Sequence, residues 1–202
     1  MKLWTNPASP FARKVRIVAL ETKLAAQIEE ISIAVSPVKP HAELRRENPL
    51  VKIPALATDD AGTLYDSIVI CEYLDHKAGA GLFPPPGPAR WEALRLHALA
   101  DGLLEAAVLR RYETAVRPQA LQWSDWLDGQ RLKIEGGLDA MEAACGKWGD
   151  RFAIGQITAA CVLGYLDFRF GGEPWRNARP ALTRWFERVS ARPSLAATAP
   201  TA

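Results

Sequence analysis

Residues 6–17 read NPASPFARKVRI and place a hydroxyl and a proline ahead of three cations. Ser9 followed by Pro10 is a helix start: the hydroxyl satisfies a free N–H of the first turn, and the proline has no N–H left to satisfy. Arg13, Lys14 and Arg16 follow, and no acid appears before Glu21. A helix N-terminus already carries partial positive charge, so stacking cations on it costs stability unless an anion comes from elsewhere. Ser9 is therefore either a cap alone or a group that faces a negatively charged ligand. Cys71, Cys145 and Cys161 are odd in number, widely spaced and set in apolar helical contexts, which reads as buried free thiols of a reducing compartment. No Cys-x-x-Cys or Cys/His cluster is present to hold a metal. His76 and His97 have no catalytic partner nearby in sequence and read as surface or packing residues.

The elements that must position these residues fall into two compositional halves. KLWT (2–5) is a short strand candidate, residues 10–22 carry apolar side chains at helical spacing, and IEEISI (28–33) alternates as a half-buried strand. After a Pro- and charge-rich stretch with a short helix near HAELRR, IPALATDDAGTLYD reads as two strands joined by a turn at Asp60-Ala61-Gly62. Ser67 then opens an apolar helix that ends at Gly79. GAGLFPPPGP (79–88) cannot continue a helix, and it sets the expected linker at 79–87. Beyond it only helices are expected, over 89–117, 124–145, 158–170 and 179–191, with Gly136-Gly137 weakening the second of these.

The chain has 202 residues, ample for a buried core, and its 25 Lys+Arg against 23 Asp+Glu leave no basic face for nucleic acid. No run approaches the ~20 apolar residues of a membrane span, and the N-terminal stretch is broken by prolines and cations before a secretory apolar core forms. No membrane or nucleic-acid partner is expected, and the expected location is the cytoplasm.

Strand, helix, strand, then a strand pair and a closing helix is the order of a thioredoxin-like domain, here residues 1–78, followed by an all-α domain over 88–202. The redox Cys-x-x-Cys of that fold is replaced by Ser9-Pro10-Phe11-Ala12, which excludes dithiol chemistry. Four pieces, SPFARKVRI, NPLVKIPAL, YDSIVICEYLD and a second domain beginning ARWEALRLHALADGLLEA, together resemble the cytosolic glutathione S-transferases. The resemblance covers nearly all of the chain and is greatest to short bacterial members with a serine-type N-terminal motif.

The resemblance implies glutathione as co-substrate, without a metal. Glutathione has two carboxylates, an amine and a thiol, so its site needs anion donors, an acid and a backbone edge. The resemblance implies that Ile53, before a cis Pro54, offers its N–H and C=O to the cysteinyl backbone. It also implies that Ser67, at a helix N-cap, and Asp66 receive the γ-glutamyl end. Ser9 is the implied catalytic residue, a donor to the glutathione thiolate, with Thr5 and Asn6 as alternatives. Lys52 and His41 are candidates for the glycine carboxylate, Phe11 is counted with the glutathione-binding residues, and Asp101 is a candidate contact from the partner subunit of a homodimer. Arg110, Arg111 and Tyr112 are candidates for a second-substrate pocket or for a solvated face. Thr158 matches the start of a capping box, a Ser/Thr answered three residues later by an acid, but Cys161 stands where the acid belongs.

The expected activity is attack of the glutathione thiol on a small hydrophobic electrophile held between the two domains, a detoxification chemistry. A glutathione-binding or ligand-carrying protein with little turnover keeps the same anchors and stays open. A glutathione-dependent disulfide reductase or peroxidase is disfavoured, because relatives of that kind carry Cys where Ser9 stands.

Overall fold

A computed structural model describes residues 1–201, and its contacts divide the chain into two units. The first comprises Met1–Pro85 with the segment from Pro193 onward; the second is Pro86–Arg192.

The first unit runs β1 (Lys2–Thr5), α1 (Pro10–Glu21), β2 (Glu29–Ser32), α2 (Ala42–Glu47), β3 (Ala55–Ala57), β4 (Thr63–Leu64) and α3 (Ser67–Ala78). The sheet order is β2-β1-β3-β4, with β1 parallel to β2 and antiparallel to β3, and β3 antiparallel to β4. α1 buries Ala12, Val15, Ile17, Val18 and Ala19 and packs against α3. Trp4, Ile53 and Ala55 gather with Leu44 of α2 in a separate cluster that Ile31 and Ile33 join. The strand expected as half-buried is mostly exposed, with only Ile31 of β2 partly covered. β2 is a sheet edge, and its glutamates suit an edge that must not pair with another chain.

α3 ends at Gly79, whose φ of 61° is the left-handed cap that glycine adopts without penalty. Asp75, buried in its last turn, accepts from the N–H groups of Leu82 and Phe83 at 2.8 and 2.9 Å. One carboxylate thereby fixes the chain as it leaves the first unit.

The second unit is helical: α4 (Pro88–Ala115), α5 (Ser124–Cys145), α6 (Ile154–Arg169) and α7 (Pro180–Ser190). Every residue of α6 from Ile154 to Leu166 is buried. Gly155 permits this, since a Cβ there would lie 2.8 Å from the Ala93 carbonyl oxygen and 2.9 Å from Leu96 Cβ. Gly137 does the same for α5, where a Cβ would lie 2.8 Å from Leu103 Cδ1. The glycine that weakens α5 locally is thus the one that lets it approach α4. Glu142 of α5 accepts from the N–H groups of Ala181 and Leu182 at 3.0 and 2.7 Å, capping α7 from a neighbouring helix.

Two expectations are corrected here. α6 begins at Ile154 rather than 158: its N-cap is Ala153, whose N–H donates to Gln156 Oε1 at 3.2 Å. Thr158 lies inside the helix, bonded to the Ile154 carbonyl and to His97 Nδ1. The capping box is halved, because alanine has no side-chain acceptor to return the bond. The second correction concerns the C-terminus, expected from sequence to be part of the helical domain. A short helix α8 (Pro193–Ala196) packs on α1 of the first unit. Arg13 Nη2 donates to the Leu195 carbonyl at 3.3 Å, and the Ser194 hydroxyl bonds Glu21.

Candidate functional site

The strand registers bring the sequence-predicted residues of the first unit to one end of its sheet. Trp4 pairs with Ala55, so the chain leaving β1 through Thr5 and Asn6 lies beside Pro54 and Ile53 entering β3. Leu56 pairs with Leu64, which carries Tyr65, Asp66 and Ser67, leaving β4, to the same end. Three backbone segments that are not contiguous in sequence converge because two antiparallel pairings share β3.

Each segment is held by local hydrogen bonds. Ser9, with φ −84° and ψ 120°, is the N-cap of α1, and its Oγ accepts from the Ala12 N–H at 3.2 Å. That bond uses an oxygen lone pair, and among the described residues the Ser9 O–H has no acceptor. Asn6 is engaged at both ends of its amide: Oδ1 accepts from Ala8 N–H and Nδ2 donates to the Ile33 carbonyl, each at 2.9 Å. Thr5 is 2% exposed, and its hydroxyl is buried without a hydrogen-bond partner among the described residues.

The Ile53–Pro54 peptide is cis. Ile53 lies outside the strands, and its backbone N–H and C=O have no hydrogen-bond partner among the described residues. The loop before it is set by Asn48, which sequence reasoning missed: Oδ1 accepts from Leu50 N–H at 3.0 Å and Nδ2 donates to the Lys52 carbonyl at 2.9 Å. Asn48 is 2% exposed, and its signal in the sequence is the Asn-Pro turn dipeptide. Lys52 itself is exposed.

At the third segment Asp66, rather than Ser67, is the N-cap of α3, its Oδ1 accepting from the Ile68 N–H at 3.2 Å. Ser67 is the first helical residue and is buried. Asp66 remains exposed at the positive end of the helix.

The cations of α1 have partners inside the first unit. Arg13 is buried against the C-terminal segment, Lys14 is fully buried with its ammonium 5.8 Å from the Phe11 ring centroid, and Arg16 pairs with Glu30 at 2.9 Å. His41 caps α2 through Nδ1, which accepts from Leu44 N–H at 3.3 Å. Asp101 lies in α4 of the second unit, half-buried. Arg110 is a buried structural cation: it forks onto Glu173 at 2.8 and 2.6 Å and holds that carboxyl below the usual carboxylate range. Among the described residues no group of three or more His, Cys, Asp or Glu could hold a metal ion, and no helix is long and apolar enough to cross a membrane. The three cysteines are free and buried.

Comparison with known proteins identifies the family of the chain. Residues 8–77 match the glutathione S-transferase N-terminal domain and residues 124–188 the C-terminal domain. The chain is 35% identical to the uncharacterized GST-like protein YibF of Escherichia coli K12, over 99% of this chain and 98% of that one. A glutathione transferase family member from Pseudomonas fluorescens Pf-5, solved with bound glutathione, is 46% identical, with a TM-score of 0.96 over 100% of this chain and 99% of that one. The Pf-5 family member solved with bound S-(propanoic acid)-glutathione is 45% identical, with a TM-score of 0.92 over all of both chains. Both halves of the sequence, the strand order and the relationship along the whole length point the same way, and the chain belongs to the glutathione S-transferase family.

Proposed function

We propose that the first unit binds glutathione and that Ser9 stabilises its thiolate for attack on an electrophile. The carrying observation is the Ser9 hydroxyl, which accepts from the helix and keeps its own proton to donate, at the sheet end where Ile53, Pro54, Asp66 and Ser67 meet. A cysteinyl thiol has a pKa near ~8.5; lowering it by about 2 units takes ~2.7 kcal/mol. A hydrogen bond to a charged sulfur gives roughly 1.5–3 kcal/mol, and the helix dipole adds up to ~1. The serine is a donor rather than a base. The sulfur forms a bond to the electrophilic carbon, a leaving group departs with its electron pair, and the thiol proton goes to water.

In this reading Ile53 pairs its backbone with the cysteinyl residue, Asp66 meets the α-amine, and Ser67 with the α3 N-terminus receives the γ-glutamyl carboxylate. Lys52, exposed after the Asn48-held loop, is the remaining cation for the glycine carboxylate, and Phe11 lies two residues beyond Ser9. Glutathione in the Pf-5 relative supports this reading. A homodimer is part of the proposal: Val69 on α3, and Trp91 and Leu99 on α4, are large apolar residues that pairing would cover, and Asp101 would serve the partner subunit's site.

The test is Ser9→Ala with calorimetric glutathione binding and conjugation of 1-chloro-2,4-dinitrobenzene. Retained binding with kcat/KM down at least about tenfold supports the thiolate role. Unchanged conjugation removes Ser9 from it, and a wild type that binds glutathione without conjugating any electrophile supports the ligand-carrying reading.

A further inference from the structure

The buried and half-buried arginines of the second unit are mostly neutralised by acids: Arg110 by Glu173, Arg176 by Asp167, and Arg179 by Glu135 and Asp139. Arg111 and Arg169 are half-buried too, and among the described residues neither has a carboxylate at ion-pair distance. A cation partly withdrawn from water without a counter-charge is a place where an external anion would be stabilised.

Three contacts fix how α4 and α6 lie against each other. Gly155 abuts Ala93 and Leu96, His97 Nδ1 is 2.9 Å from Thr158 Oγ1, and Arg110 stacks 4.8 Å from the Phe170 ring centroid. The helices therefore run side by side in the same direction, and the last turn of α6 meets α4 near residue 110. Tyr165 and Arg169, one turn apart on α6, are brought there beside Arg111 and Tyr112. The Arg169 guanidinium lies 4.0 Å over the Phe168 ring centroid, and among the described residues its buried Nε has no hydrogen-bond partner. Tyr165 is 5% exposed, shares a side-chain hydrogen bond with Arg169, and lies within electrostatic reach of Arg111 and Tyr112. Burial pushes both phenols up, so each stays a neutral O–H donor at physiological pH.

We infer that Arg111, Tyr112, Tyr165 and Arg169 form a carboxylate-binding site, and that the second substrate is an electrophile with an apolar body and one carboxylate. Guanidinium forks match the two oxygens of a carboxylate, and phenol donors complete its coordination, while Phe168 and Phe170 offer apolar wall to the rest of the molecule. The identity of the bound acid as a substrate rests on the glutathione-conjugation reading; the carboxylate site itself does not.

The test is calorimetric binding of 4-chloro-3-nitrobenzoate and of its methyl ester, without glutathione, to wild type, Arg111→Gln, Arg169→Gln and Arg169→Lys. The wild type is expected to bind the acid at least about tenfold more tightly than the ester. Each Gln variant should bring that ratio close to one, and Arg169→Lys should keep part of it. Equal affinities in the wild type, binding of neither compound, or a preference that survives both Gln changes overturns the inference. Glutathione is titrated separately. Acid preference without glutathione binding overturns the conjugation reading and leaves the carboxylate site standing; glutathione binding without acid preference does the reverse.

Discussion

At the scale of single residues, the site depends on which polar groups are already satisfied. Ser9, Asn6 and Thr5 have similar chemistry and lie within five residues, yet the Asn6 amide is tied to Ala8 and Ile33 and the Thr5 hydroxyl is buried. Ser9 is partly exposed, and its hydroxyl proton, unlike the Asn6 amide, is not committed to fixing the loop. Asp66 has two separable duties. Asparagine caps a helix as well as aspartate but carries no charge, so Asp66→Asn should leave the melting temperature within about 1 °C. Its glutathione affinity should fall roughly fivefold, as expected for one lost charge pair near the surface. Thermal melts and calorimetry on the same sample check both halves. Asn48→Ala should do otherwise, costing about 1–3 kcal/mol by leaving a buried carbonyl and N–H unmet, and weakening glutathione binding because the loop carrying Ile53 is released; urea titration with a parallel binding isotherm reads this out.

At the scale of elements, glycines mark where helices touch. Gly155→Ala must push against a backbone carbonyl and the Leu96 side chain of α4, so a loss of about 1–3 kcal/mol is expected. At Gly102 and Gly136 a Cβ would meet nothing within 4 Å, so Gly102→Ala should stabilise by up to ~1 kcal/mol through helix propensity alone. Chemical denaturation of the two variants would reveal the opposite signs; equal effects would mean that α4 and α6 are not in close contact at Gly155. The start of α6 escapes the sequence for a related reason. Thr158 is a preferred cap residue, but it is buried and bonded to His97, whereas the actual cap, Ala153, has no capping side chain to be recognised by.

At the scale of the whole chain, the C-terminal segment and the buried ion pairs set how stability responds to change. Truncation after Arg192 removes Leu195 and Thr198, each 2% exposed, and uncovers Arg13, so the first unit should lose several kcal/mol, on the order of two buried side chains. Its unfolding should shift to lower urea, followed through Trp4. Acid should act on the second unit through Glu173, whose carboxyl is held low by its hydrogen bonds to Arg110. A depressed folded pKa contributes stability that is complete above the unfolded value, near ~4.3. That contribution disappears as pH falls through the lower folded value, so the melting advantage of wild type over Glu173→Gln should be full at pH 6 and shrink towards pH 3. The sequence by itself determined the elements whose signals are local: the strand KLWT, the proline-led start of α1, the helix ending at Gly79, the four long helices, and the family to which these motifs belong. The tertiary structure decided what depends on distant partners. It joined Ser9, Ile53 and Asp66 through two antiparallel registers, turned Arg13 into an anchor for the C-terminal segment, and left Arg111 and Arg169 without an acid at ion-pair distance among the described residues. A charge written in a sequence shows its sign, but whether it is neutralised depends on side chains that folding brings within a few ångströms from far along the chain.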